Sequence, residues 1–94
     1  MNTTVARQRR RWLPAEPVLA LADRYGLSHQ SLGQRLGALR GQRPGSGERA
    51  VCRAAARGEV TIAMADDLAV ALDLHPGQVW GWETWLDVPA WGER

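Results

Sequence analysis

Ninety-four residues make at most one domain with one modest core, and an apolar share of 45% excludes a chain that is disordered throughout. No apolar run approaches the roughly 20 residues of a membrane span, and the lone Cys52 excludes an internal disulfide, which suits a reducing compartment. The net charge of +2 conceals a division: residues 1–57 carry eleven Arg against Glu16, Asp23 and Glu48, a balance of +8, whereas residues 58–94 carry Arg94 against seven carboxylates, a balance of −6.

A basic half beside an acidic half points to a polyanion on one side of the molecule. All twelve basic residues are Arg. Codon bias in a GC-rich genome accounts for choosing Arg over Lys, but not for where the Arg residues fall. The guanidinium fork makes bidentate contacts with phosphate and with guanine edges.

In chain order, residues 1–13 read as a flexible basic arm, with Arg7, Arg9, Arg10 and Arg11 able to follow a DNA backbone or enter a minor groove. No apolar run typical of a signal peptide follows the initial MNTTVARQRRR, so a cytoplasmic protein is expected. Pro14 and Pro17 suit the first turn of a helix near 14–25. Val18, Leu21, Ala22 and Tyr25 keep the i, i+3, i+4, i+7 spacing of a buried stripe, and Gly26 stops it.

The second helix, near 29–39, opens with Ser28 as N-cap and with Leu27 and Leu32 placed as a hydrophobic staple. Leu32 and Leu36 share a face, and Gly33 between them leaves room for a close neighbour. Ten residues, Ala38 to Gly47, then separate this pair from the next helix. Either the second helix runs on to Arg40, or a long loop intervenes.

The third helix, near 47–57, carries Arg49, Arg53 and Arg57 four apart, hence on one face. Glu48 in its first turn suits the helix dipole, Val51, Ala54 and Ala55 form its apolar face, and Cys52 reads as a small packing residue. A fourth helix, near 61–73, is capped by Thr61 and striped by Met64, Leu68 and Leu72. Asp66 and Asp67 point about 100° apart on it, so they read as a solvated face and not as an acid–base pair. Leu74-His75-Pro76-Gly77 is a turn into a short fifth helix near 76–82. The Trp-rich tail, 83–94, completes a run of Trp80, Trp82, Trp85 and Trp91, of which a core this small buries one or two. The class expected is therefore all-α: a compact bundle of about five short helices with no sheet. Leu21, Leu32, Leu36, Val51, Leu68 and Leu72 form its core.

An ordered series runs through this pattern: Leu27-Ser28, Leu32-Gly33, Leu36-Gly37, Arg57-Gly58, Ala65, Leu68-Ala69, Ala71-Leu72 and Leu74-His75-Pro76. Over roughly residues 18–82 it resembles the lambda-repressor/Cro-like (XRE) helix-turn-helix family. The connection here is longer than that family's turn of about three or four residues. The resemblance implies a helix-turn-helix DNA-binding domain over 14–82, of the kind found in small phage-type repressors or Cro-like regulators. The third helix would enter the major groove, with Glu48, Arg49 and Arg53 near base edges, Ser46 among the DNA-binding residues, Gln30 at a phosphate or base, and Arg40, Arg43 and Arg57 on phosphate. Binding of this kind needs charge and shape alone.

A reading helix spans few base pairs, so a homodimer on a near-palindrome is expected. Its anchors would be Trp82, Trp85 and Leu86, on the acidic side away from DNA. The alternative is a protein-interaction module that uses the helical core and the Trp-rich tail to hold a partner protein. An enzyme is the weakest expectation: the chain has no phosphate-binding glycine loop after a strand, no metal-ligand spacing and no nucleophile beside a base. No cofactor and no small-molecule ligand are implied.

Overall fold

Side-chain caps set where the helices begin. Ser28 accepts a hydrogen bond from the Ser31 amide (3.1 Å), Thr61 from the Met64 amide (3.1 Å) and His75 Nδ1 from the Gly77 amide (2.9 Å). Each satisfies an amide that a helix start leaves without a partner. The computed structural model describes residues 12–43 and 45–86. In chain order these form β1 (Trp12–Pro14), α1 (Glu16–Arg24), α2 (His29–Arg40), α3 (Ser46–Arg57), β2 (Glu59–Thr61), α4 (Ile62–Ala71), α5 (Pro76–Trp80) and α6 (Trp82–Leu86). Helix accounts for 72% of the described residues, which places the fold in the all-α class with one small sheet. Among the described residues, no helix is long and apolar enough to cross a membrane.

The expectation of no sheet is corrected. β1 and β2 pair antiparallel with Leu13 opposite Val60, both buried. A three-residue strand turns one side chain inward, so neither leaves a readable alternation. Pro14, expected in a helix, ends β1 at a sheet edge, where its missing amide hydrogen costs nothing. Pro17 does lie in the first turn of α1. The stripe of α1 also ends sooner than its spacing suggests. The helix stops at Arg24, so Tyr25 is exposed and Leu21 is half-buried, while Val18 and Ala22 are buried as expected.

α2 runs through to Arg40 and closes on Gly41 in the left-handed conformation (φ 66°), a C-terminal cap that favours glycine. Its connection to α3 is thereby residues 41–45, half the ten residues between Ala38 and Gly47. α2 and α3 then cross at two glycines. A Cβ on Gly33 would stand 2.7 Å from the Gly47 carbonyl carbon and run into the Glu48 backbone. A Cβ on Gly47 would run into the Gly33 carbonyl. The two backbones touch directly, which only glycine permits.

Leu32, Leu36, Val51, Leu68 and Leu72 are buried, joined by Leu13, Val60, Trp80 and Trp85. Trp80 also donates its indole N–H to the Pro14 carbonyl oxygen at 2.7 Å, tying α5 to β1. The packed unit therefore extends beyond the expected 14–82: Leu13 at one end and Trp85 at the other belong to the core.

Candidate functional site

α3 sorts its residues by face. Val51 and Ala54 are buried and Ala50 and Ala55 are half-buried, whereas Arg49, Cys52, Arg53, Ala56 and Arg57 are exposed. The four-residue spacing thus sets three guanidiniums along one outward side of a twelve-residue helix. Arg49 and Arg53 are paired with no carboxylate among the described residues. Nor is Arg43, exposed in the connection before α3. Uncompensated guanidiniums on one helix face make a local positive field.

Two other cations of the expected set are engaged within the fold. Arg40 donates from Nε to Asp67 Oδ2 at 2.8 Å, and its Nη2 lies 3.4 Å from Met64 Sδ. Expected on phosphate, Arg40 instead ties the end of α2 to α4. Asp67, expected to be merely solvated, is its partner. Arg57 places its guanidinium carbon 5.2 Å from the centre of the Trp12 ring, within cation–π range.

Ser46 and Glu48 lie half-buried in the first turn of α3, beside the glycine crossing. The helix begins at Ser46 because Gly45, at φ 90°, caps it one residue earlier than expected. Gln30 is exposed in the first turn of α2. Arg7, Arg9, Arg10, Arg11 and Trp91 lie outside the described residues.

At the C-terminal end of α3 an open hollow of about 240 Å³ lies between Arg53 and Arg57 of α3, Trp12 of β1 and Thr61 of β2, floored by Val60 and Met64. Arg40 and Glu59 also border it. Trp12 and Glu59 are lining residues that the sequence did not single out, and Thr61 stood out there only as a helix cap. The one signal was an indole directly following the Arg9–Arg11 run.

The expected dimer anchors separate. Trp85 is only 5% exposed and belongs to the chain's own core, so it is withdrawn as an interface anchor. Trp82 (53%) and Leu86 (77%) face outward. Trp82 stacks on His75 with ring centres 4.6 Å apart, and Trp85 meets the same imidazole edge-on at 6.2 Å. His75 is therefore a cap and a stacking partner. Among the described residues, no group of three His, Cys, Asp or Glu is arranged to hold a metal ion. Comparison with known protein families, curated proteins and solved structures finds no match for the chain.

Proposed function

We propose that the chain is a sequence-specific DNA-binding transcriptional regulator of the repressor or Cro-like kind, with α2 and α3 acting as a helix-turn-helix and α3 entering the major groove. The observation that carries this reading is the outward side of α3, where Arg49 and Arg53 stand exposed with no carboxylate partner among the described residues and Arg57 continues the row. A groove lined by phosphates offsets such a row, and guanine edges accept its paired N–H groups. Arg49 and Arg53 are assigned to base edges, with Ser46, Glu48 and Gln30 beside them. Arg43 and Arg57 are assigned to phosphate, as is the arm of Arg7, Arg9, Arg10 and Arg11. The glycine crossing supports this reading, because backbone contact between α2 and α3 fixes the angle at which α3 is presented. Two copies would bind a near-palindrome, with Trp82 and Leu86 at the contact between them.

Selection of bound sequences from a random duplex pool tests the proposal. Enrichment of a near-palindrome is the expected result. Recovery of an unenriched pool, or no retention on DNA at low salt, overturns it. A second reading, a protein-interaction module, draws on the exposure of Trp82 and Leu86 on α6. It gains if the chain ignores DNA yet still self-associates or captures a partner through those two residues.

A further inference from the structure

We infer that the hollow beside Trp12 is a binding site for one nucleotide unit, a phosphate joined to a ring-bearing nucleoside. This goes beyond the regulator reading and does not require α3 to enter a duplex. Size comes first. About 240 Å³ is below the roughly 300–1,000 Å³ of clefts that enclose a whole drug-sized ligand. It suits a single flat or ring-shaped group with its charged end outside.

The floor, Val60 and Met64, is buried and apolar, and the rim carries an indole that is 39% exposed. An exposed indole beside guanidiniums is the composition on which nucleic-acid bases and sugars stack. The charge at the mouth fits a phosphate. The Arg40 charge is neutralised by Asp67 at 2.8 Å. That leaves Arg53 and Arg57 against Glu59, two positive charges against one negative. The net positive charge at the mouth favours a phosphate group there.

The site is also partly organised beforehand. Arg57 is held 5.2 Å from the Trp12 ring centre, so its fork loses less freedom when it takes up a phosphate. Thr61 Oγ1 accepts from the Met64 amide at 3.1 Å, which leaves its hydroxyl hydrogen to donate to a sugar or phosphate oxygen. The assignment is therefore phosphate on Arg57, with Arg53 as the second charge, and the ring group against the exposed part of the Trp12 indole that Arg57 does not cover. Arg53 and Arg57 both belong to the proposed duplex-binding row, so the Trp12 variants, which lie outside it, separate the two readings, and Arg57→Gln tests the phosphate contact.

The experiment is nuclear magnetic resonance of the full chain, following the Trp12 indole N–H and the amides of Arg57, Val60 and Thr61. Thymidine 5′-monophosphate should move these signals with a Kd of about 1 mM or tighter. Inorganic phosphate alone and thymidine alone should each bind at least about tenfold more weakly, since each lacks half of the contacts. A single-stranded oligothymidine that binds more tightly than the mononucleotide assigns the unit to a nucleic-acid strand. One that binds equally or less tightly assigns it to a free nucleotide. Trp12→Leu and Arg57→Gln should each weaken the mononucleotide about tenfold, whereas Trp12→Phe should retain it. If Trp12→Leu fails to fold, Arg57→Gln and Trp12→Phe carry the comparison. The proposal is overturned if the mononucleotide leaves these signals in place, if inorganic phosphate binds as tightly, or if Arg57→Gln keeps the wild-type affinity.

Discussion

Two glycines in α2 offer a matched test of how α3 is held. Gly33 and Gly37 are both buried, both interior to the same helix and one turn apart. A methyl group on Gly37 would have its nearest neighbour at 3.8 Å, an ordinary contact. The same group on Gly33 would stand 2.7 Å from the Gly47 carbonyl carbon and overlap the Glu48 backbone. Alanine is preferred to glycine inside a helix by about 1 kcal/mol, so Gly37→Ala should stabilise the fold by up to that amount. Gly33→Ala has the same gain, but main chain cannot rotate aside as a side chain does. The helices must part, and overpacking of this sort costs about 1–3 kcal/mol or more. The net result should be a loss of at least about 1 kcal/mol, with the two variants moving in opposite directions. In a domain of this size each kcal/mol shifts Tm by about 4–8 °C. Thermal and urea unfolding followed by circular dichroism measure both variants. If Gly33→Ala is as stable as the wild type, or if the two variants change together, the backbone contact between α2 and α3 is refuted.

Further outcomes follow from the same contacts. Leu68 is fully buried, so Leu68→Ala should lose about 2–5 kcal/mol; a loss under roughly 0.5 kcal/mol in urea unfolding would show that α4 is not packed as described. The Arg40–Asp67 pair is about a quarter to a third exposed, so a double-mutant cycle on it should return a coupling of no more than about 1 kcal/mol; a much larger value would mean that the pair is shielded from water. In DNA binding, Arg49→Ala and Arg53→Ala should reduce discrimination between cognate and random duplex by about 1–3 kcal/mol. Arg43→Ala should weaken both duplexes alike and lower the salt slope by about one; identical behaviour of all three would make α3 a general phosphate binder. His75 Nδ1 accepts from an amide, so the neutral imidazole should carry its hydrogen on Nε2, which imidazole nitrogen shifts will verify or contradict.

What the sequence revealed and what it withheld divide along the distance over which a signal acts. Ser28, Thr61 and His75 cap helices within three residues of themselves, so their roles can be read locally. The face of α3 likewise follows from a spacing of four. The sheet does not: Leu13 and Val60 meet across 47 positions, and each strand offers one inward residue. Arg40 and Asp67 are 27 positions apart, so an Arg that reads as a free phosphate contact and an Asp that reads as solvated prove to be each other's partner. The tryptophans were ambiguous for another reason. Their bulk says that some must be covered, but not which. Trp80 is covered where its N–H reaches the Pro14 carbonyl, and Trp85 is covered where it packs edge-on to His75. Trp82, on the same short helix, is left outward.

These long-range contacts also bear on how α3 is fixed. Its N-terminal end is set by the glycine crossing with α2. Its C-terminal end passes through Gly58, whose carbonyl accepts from the Ala15 amide at 2.9 Å, directly into the β2 strand that pairs with β1. β1 in turn receives the Trp80 indole N–H from α5. The helix that carries the exposed arginines is therefore held at both ends by backbone contacts, and of its arginines Arg57 adds a contact of its own, on Trp12. That arrangement has a consequence for mutagenesis. Among the described residues the side chains of Arg49 and Arg53 make no hydrogen bond, ion pair or ring contact, so a loss of binding in those variants reports on the ligand. Substituting Gly33, Gly47 or Trp80 moves the helix itself and should lower binding and stability together.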